Sequence, residues 1–80
     1  MDAAKLVKMA NQIATFFESD PDPKARHEGI AGHLRRFWDP RMRRAIYQHL
    51  DTHRGEGLKP SVLQVLETDR TALEPPAATP

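Results

Sequence analysis

The segment His33-Leu34-Arg35-Arg36-Phe37-Trp38-Asp39-Pro40-Arg41-Met42 decides how this chain folds. It holds the only Trp and one of the three Phe. Proline confines the residue before it to extended backbone, so Pro40 keeps Asp39 out of a helix and stops the preceding helix near Trp38. Asp39 is then an N-cap, its carboxylate accepting from a free N–H of the next turn. Pro40 falls at the first helical position, where a missing N–H costs nothing. The segment therefore predicts a corner between two helices that gathers an aromatic pair and several guanidinium groups. This is the chemistry of docking. No nucleophile with a neighbouring base and no Gly-rich phosphate loop accompanies it.

Outward from the corner, the pattern stays helical. Asp22 and Pro23 repeat the cap-and-proline device after a turn at residues 19–23 and open a second helix that runs to about Phe37. Its apolar face is Ala25, Ile30, Ala31, Leu34, Phe37 and Trp38. Gly29 and Gly32 lie inside it, each costing about 1 kcal/mol against Ala. They mark either weak propensity or the close approach of another backbone. The first helix spans residues 3–18, with Asp2 as its cap. Leu6, Met9, Ile13 and Phe16 step by three and four, as do Leu6, Ala10, Ile13 and Phe17, giving a wide stripe toward a core. The third helix runs from Pro40 to Leu50 or Asp51, with Met42, Ala45, Ile46, His49 and Leu50 inward. Residues 52–57 form a loop, Leu58 folds back onto the core, and Pro60 opens a short fourth helix bearing Val62, Leu63, Val65 and Leu66. The expected architecture is all-α: a small bundle of three main helices plus a short fourth over residues 1–68. A Pro-rich disordered tail is expected over residues 69–80.

Composition narrows the function. Eighty residues allow one small domain, with no Cys and a net charge of +1. Disulfides, thiolate metal sites and Cys-held iron–sulfur clusters are thereby excluded from this chain. A domain of this size buries only about 60% of its unfolded surface, and oligomerisation or a partner is a usual remedy. No signal-peptide pattern and no apolar run of membrane-spanning length is present, so a cytoplasmic, soluble protein is expected. His49 and His53 have metal-ligand spacing but lack a third ligand, and read as ordinary His at a helix C-terminus. His33 reads as a bonded member of the corner. Arg35, Arg36, Arg41, Arg43 and Arg44 allow two readings. One is a phosphate-tracking surface for nucleic acid. The other is a protein–protein hot spot, in which Arg sits with Trp, Tyr and Met. Near-neutral charge and the absence of Lys from the run favour the protein partner. Phe37 reads first as core; for Trp38, Arg41 and Met42 core and docking both stay open.

Two segments carry a resemblance. One is Met9, Ala10, Asn11, Gln12, Ile13, Ala14, Phe16 and Phe17. The other is Gly29, Ile30 and Ala31, then His33 through the Phe37-Trp38-Asp39-Pro40-Arg41-Met42 corner to Arg43. Together they resemble the delta subunit of the NAD-dependent, molybdenum-containing formate dehydrogenase, over residues 5–66. The resemblance implies a non-catalytic accessory subunit without a cofactor of its own. It implies that partner subunits hold the molybdenum bis-pterin-guanine-dinucleotide, iron–sulfur clusters, FMN and NAD. It also implies a hetero-oligomer in which the chain docks on the large molybdenum-bearing subunit. A transient maturation factor for the molybdenum cofactor is the nearest alternative, and a small basic nucleic-acid-binding module the alternative from another class. The expected contact set is Asn11, Gln12, His33, Arg36, Phe37, Trp38, Arg41 and Met42, with Asp39 and Pro40 holding the corner. No nucleic acid and no membrane is expected as partner.

Overall fold

The computed structural model describes residues 2–76. It contains α1 (Ala3–Phe17), α2 (Pro23–Phe37), α3 (Pro40–His53), α4 (Pro60–Thr68) and a single turn, α5 (Arg70–Leu73). Among the described residues there is no strand, and no helix is long and apolar enough to cross a membrane. The all-α expectation holds, with five helices in place of four.

Local chemistry sets the helix starts. The carboxylates of Asp2, Asp22 and Asp39 each accept from a first-turn N–H at 3.0 Å, those of Ala4, Lys24 and Met42. Pro23, Pro40 and Pro60 each occupy a first helical position. Asp39 has ψ 166°, as a residue before proline must, and α2 ends at Phe37. α3 runs two residues past its expected end. It stops where Arg54 and Gly55 take φ of 56° and 67°, a left-handed pair that only Gly adopts without cost. The loop that follows is tied down. The Asn11 side-chain amide donates to the Gly57 carbonyl and accepts from the Lys59 N–H, both at 2.9 Å. His49 Nε2 donates to the Glu56 carbonyl at 2.8 Å. Leu58 is thereby held in the core, as expected.

The core is built from i, i+4 rows: Leu6, Ala10 and Ala14 of α1, Ile30 and Leu34 of α2 continued by Trp38, and Val62, Val65 and Leu66 of α4. Small Ala side chains at the contact let α1 pack closely on its neighbours. Three expectations fail here. Phe37, read as core, is 70% exposed. It shares the helical direction of Ile30 but lies two turns on, where nothing covers it. Met9 and Phe16, placed on the core stripe, are 36% and 72% exposed. They sit on one flank of an apolar arc wider than the core requires. Tyr47, absent from the expected inner face of α3, is fully buried. Its hydroxyl donates at 2.7 Å to the Leu66 carbonyl, one of the last four of α4, which have no successor N–H within the helix.

The bundle also runs past its expected end. α5 buries Leu73, which is 1% exposed, in a stretch assigned to the disordered tail. Arg70 holds this turn with a forked pair to Asp51 at 2.9 and 2.6 Å, and with bonds to Glu74 at 2.7 and 3.0 Å. Its guanidinium lies 4.9 Å from the Tyr47 ring centroid. Arg43 Nη1 donates to the Leu73 carbonyl at 3.2 Å. One leucine in a polar stretch makes no periodic signal, so sequence pattern misses it. The rest of the expected tail, residues 77–80, lies outside the described residues.

The two helical glycines separate cleanly. A Cβ on Gly29 would run into the Phe17 ring, whereas one on Gly32 would meet nothing within 4 Å. Gly29 thus serves close approach, of a side chain and not of a backbone, and Gly32 is weak propensity alone. Gly32→Ala is expected to raise the melting temperature by about 4–8 °C, the yield of about 1 kcal/mol in a domain of this size; Gly29→Ala is expected to lower it. Calorimetry of the two variants checks both signs. Burial pushes the Tyr47 hydroxyl up to about 12 from 10. The folded chain therefore keeps a proton that the unfolded chain releases first. Stability is constant below pH 10 on this account and falls as pH rises toward about 12. Tyr47→Phe should remove that alkaline slope in urea titrations and cost about 1–2 kcal/mol at neutral pH, because the Leu66 carbonyl loses its donor.

Candidate docking surface

The exposed aromatics are not scattered. A groove of about 450 Å³ runs between α1 and α2. Met9, Ile13 and Phe16 line it from α1, His33 from α2, and Trp38 at its end. Phe17 borders both this groove and a second hollow, of about 500 Å³, that continues along α2 past Gly29, Gly32, Arg36 and Phe37. Phe16 and Phe17 meet edge to face, ring centroids 5.0 Å apart and planes at 88°. His33 and Phe37, one turn apart, bring their rings to 4.8 Å. An apolar surface of this kind on a small chain marks an interaction site.

The expected contact residues divide between this surface and the interior. His33, Arg36 and Phe37 lie on it together, and Gln12 borders the groove. Trp38 is 4% exposed and belongs to the core. Of the two readings left open for Trp38 the core one is what the fold takes, and Phe37, read first as core, is exposed, because α2 ends between them. Asn11 spends its amide on the 54–59 loop of its own chain. Arg41 is exposed at the corner, and Met42 is half-buried against the core. Asp39 and Pro40 hold the corner as expected. Met9 and Phe16, which lie outside the expected contact set, line this groove as well. Their signal was present: both lie on the edge of an apolar arc with more residues than one core face takes.

Charge is distributed unevenly. The ion pairs among the described residues are Lys59–Glu18 and Arg70 with Asp51 and Glu74, and His27 Nε2 lies 3.1 Å from an Asp69 carboxylate oxygen. These use Glu18 at the end of α1, Asp51 of α3, and Asp69 and Glu74 at the two ends of α5. Hydrogen bonds from Lys59 and Ser61 hold the Glu18 carboxyl below its ordinary range. The Arg70 fork does the same for Asp51 and raises Arg70 itself. Lys5, Arg35, Arg36 and Arg41 are exposed and carry no carboxylate partner among the described residues. Arg43 and Arg44 are half-buried, and Arg43 is committed to Leu73. The arginine run therefore does not form one continuous row.

His49 Nε2 donates to the Glu56 carbonyl, and His49 Nδ1 is buried without a hydrogen-bond partner. No group of three potential metal ligands comes together among the described residues. With no Cys in the chain, the donor set does not fit an iron–sulfur cluster.

Comparison with known families gives a match over most of the chain. The family model described as NADH-dependent formate dehydrogenase delta subunit FdsD covers residues 5–77. Comparisons with curated proteins and with solved structures give no match. The family match takes in all of α2 to α5 and extends beyond residue 66, where the resemblance read from the residues ended. It includes both walls of the groove and the Leu73 turn. The chain belongs to the delta-subunit family of NADH-dependent formate dehydrogenase.

Proposed function

We propose that this chain is a non-catalytic accessory subunit that docks on the large, molybdenum-bearing subunit of formate dehydrogenase and supports its assembly or stability. The observation that carries this reading is the α1–α2 surface. Phe16 and Phe37 stand about seven-tenths exposed in a chain with only three Phe. A domain of 80 residues has a total stability of about 4–12 kcal/mol. Leaving two large aromatic side chains in water forgoes a useful part of that, unless another surface covers them. In this reading the molybdenum cofactor, iron–sulfur clusters, FMN and NAD all sit on partner subunits, in a cytoplasmic hetero-oligomer. This chain contributes contact surface alone.

Co-expression of the tagged chain with the formate dehydrogenase subunits of its source, followed by size exclusion, tests the role. Stoichiometric retention in the active complex is expected. An active, fully loaded enzyme from which the chain is absent, with poor cofactor loading when it is omitted, would make it a maturation factor instead. The variants Phe37→Ala and Trp38→Ala should separate docking from folding. Phe37→Ala is expected to leave the melting temperature nearly unchanged while weakening retention by about tenfold or more. Trp38→Ala removes a core side chain and should cost about 3–5 kcal/mol of stability, so any loss of assembly follows unfolding. Circular-dichroism melts of both variants, set beside the pull-down, decide the matter.

A further inference from the structure

We infer that two copies of this chain pair through the outer face of α2, antiparallel and about a two-fold axis midway between Ala31 and Gly32. This contact is separate from the docking groove and goes beyond the role just proposed. At 3.6 residues per turn, Glu28 and Arg36 stand about 40° to either side of Gly32, and Arg35 about 60° from it, so the four share one face. Glu28, Arg35 and Arg36 are exposed, and none has an ion pair among the described residues. A Cβ on Gly32 would meet nothing of its own chain within 4 Å. All four residues line the hollow of about 500 Å³ beside α2, and none lines the groove that holds Met9, Ile13 and Phe16. Asp69 also borders the hollow, but its carboxylate is engaged, 3.1 Å from His27 Nε2.

The order of the charges names the occupant. On this face the acid lies toward the start of α2 and the two bases toward its end. Glu28 and Arg35 are equally far along the chain from the midpoint between Ala31 and Gly32. An antiparallel copy centred there sets Glu28 against Arg35 of the second copy, with Arg36 beside it, and the symmetry repeats the pair at the other end. A parallel copy in the same register would set like charge against like. Helices approach most closely where their side chains are small, and Ala31 and Gly32 occupy the crossing. Arg is suited to bind each carboxylate through two parallel bonds. A net charge of +1 sets up little repulsion between whole copies. Association is also a usual support for a domain of this size.

The test uses the full chain without the formate dehydrogenase subunits, so its outcome does not depend on the docking role. Sedimentation equilibrium should show a dimer that dissociates on dilution. Glu28→Arg, and separately Arg35→Glu with Arg36→Glu, set like charges against each other. Each should raise the dissociation constant by about tenfold or more, with the helical circular-dichroism signal unchanged. Mixed in equal amounts, the two variants carry opposite charges at the facing positions and should pair as a heterodimer with close to the parent's affinity. Gly32→Cys, beside the axis of a chain with no Cys of its own, should give a disulfide-linked dimer under mild oxidation, and Thr15→Cys on α1 should not. A parent chain that stays monomeric at every concentration would overturn the proposal. A dimer that neither charge reversal weakens, or that links through position 15 and not through position 32, would overturn the α2 face. Charge reversals that weaken the dimer without rescue in the mixture would overturn the antiparallel pairing.

Discussion

Proline at position 40 is the constraint from which most of this structure follows. It forces Asp39 into extended backbone and so ends α2 at Phe37. The chain then turns with Trp38 beneath it, in the core, and Phe37 above it, in solvent. One peptide bond thus separates a buried aromatic from an exposed one. Had the helix run one turn further, both aromatics would continue the α2 faces and the corner would disappear. Asp39 adds the cap that starts α3 in its new direction. Everything that α3 brings, Ile46 and Tyr47 above all, reaches the core through that change of course.

The last third of the chain completes what the corner begins. α1, α2 and α3 alone leave the Leu6–Ala10–Ala14 and Ile30–Leu34 rows partly open. Val62, Val65, Leu66 and Leu73 close them. Polar contacts fix the register: Asn11 with residues 57 and 59, Glu18 with Lys59 and Ser61, and Arg70 with Asp51. These exposed or half-exposed pairs contribute modestly to stability. Their larger effect is positional, because they place α4 and α5 on one side of α2. The other side, with Phe16, Phe37 and the unpaired arginines, is left clear.

Much of the fold could be read from Asp-Pro and Lys-Pro junctions, because capping and proline act locally and leave their mark on adjacent residues. Those junctions place the start of α2 at Pro23 and its end at about Phe37, where it is found. The apolar periodicities named the rows correctly but overstated how much of each row is covered. Periodicity gives the direction of a side chain, whereas burial also depends on how far the neighbouring helix extends. Phe37 and Phe16 fail on that second quantity. Tyr47 was missed because its burial depends on a carbonyl 19 residues away, and Leu73 because an isolated apolar residue has no period. Of the candidate surface, His33, Arg36 and Phe37 were legible from the corner motif. Met9 and Phe16 become visible only once the core has claimed its share of α1.

The Asn11 clasp bears on the order in which the chain can be made and folded. Its two partners lie 46 and 48 residues downstream, and those of Glu18, Lys59 and Ser61, lie 41 and 43 residues downstream. On the ribosome, α1 and α2 emerge first and have each other, but the buried sides of both remain open until α4 and the Leu73 turn follow. Contacts between the ends of a chain must meet their loop-closure entropy before they return any stability. The bundle therefore closes only after residues 57–73 have been made. Until then the nascent chain presents two apolar sides where the finished subunit presents one, which is the interval in which it is most exposed to aggregation and to proteolysis.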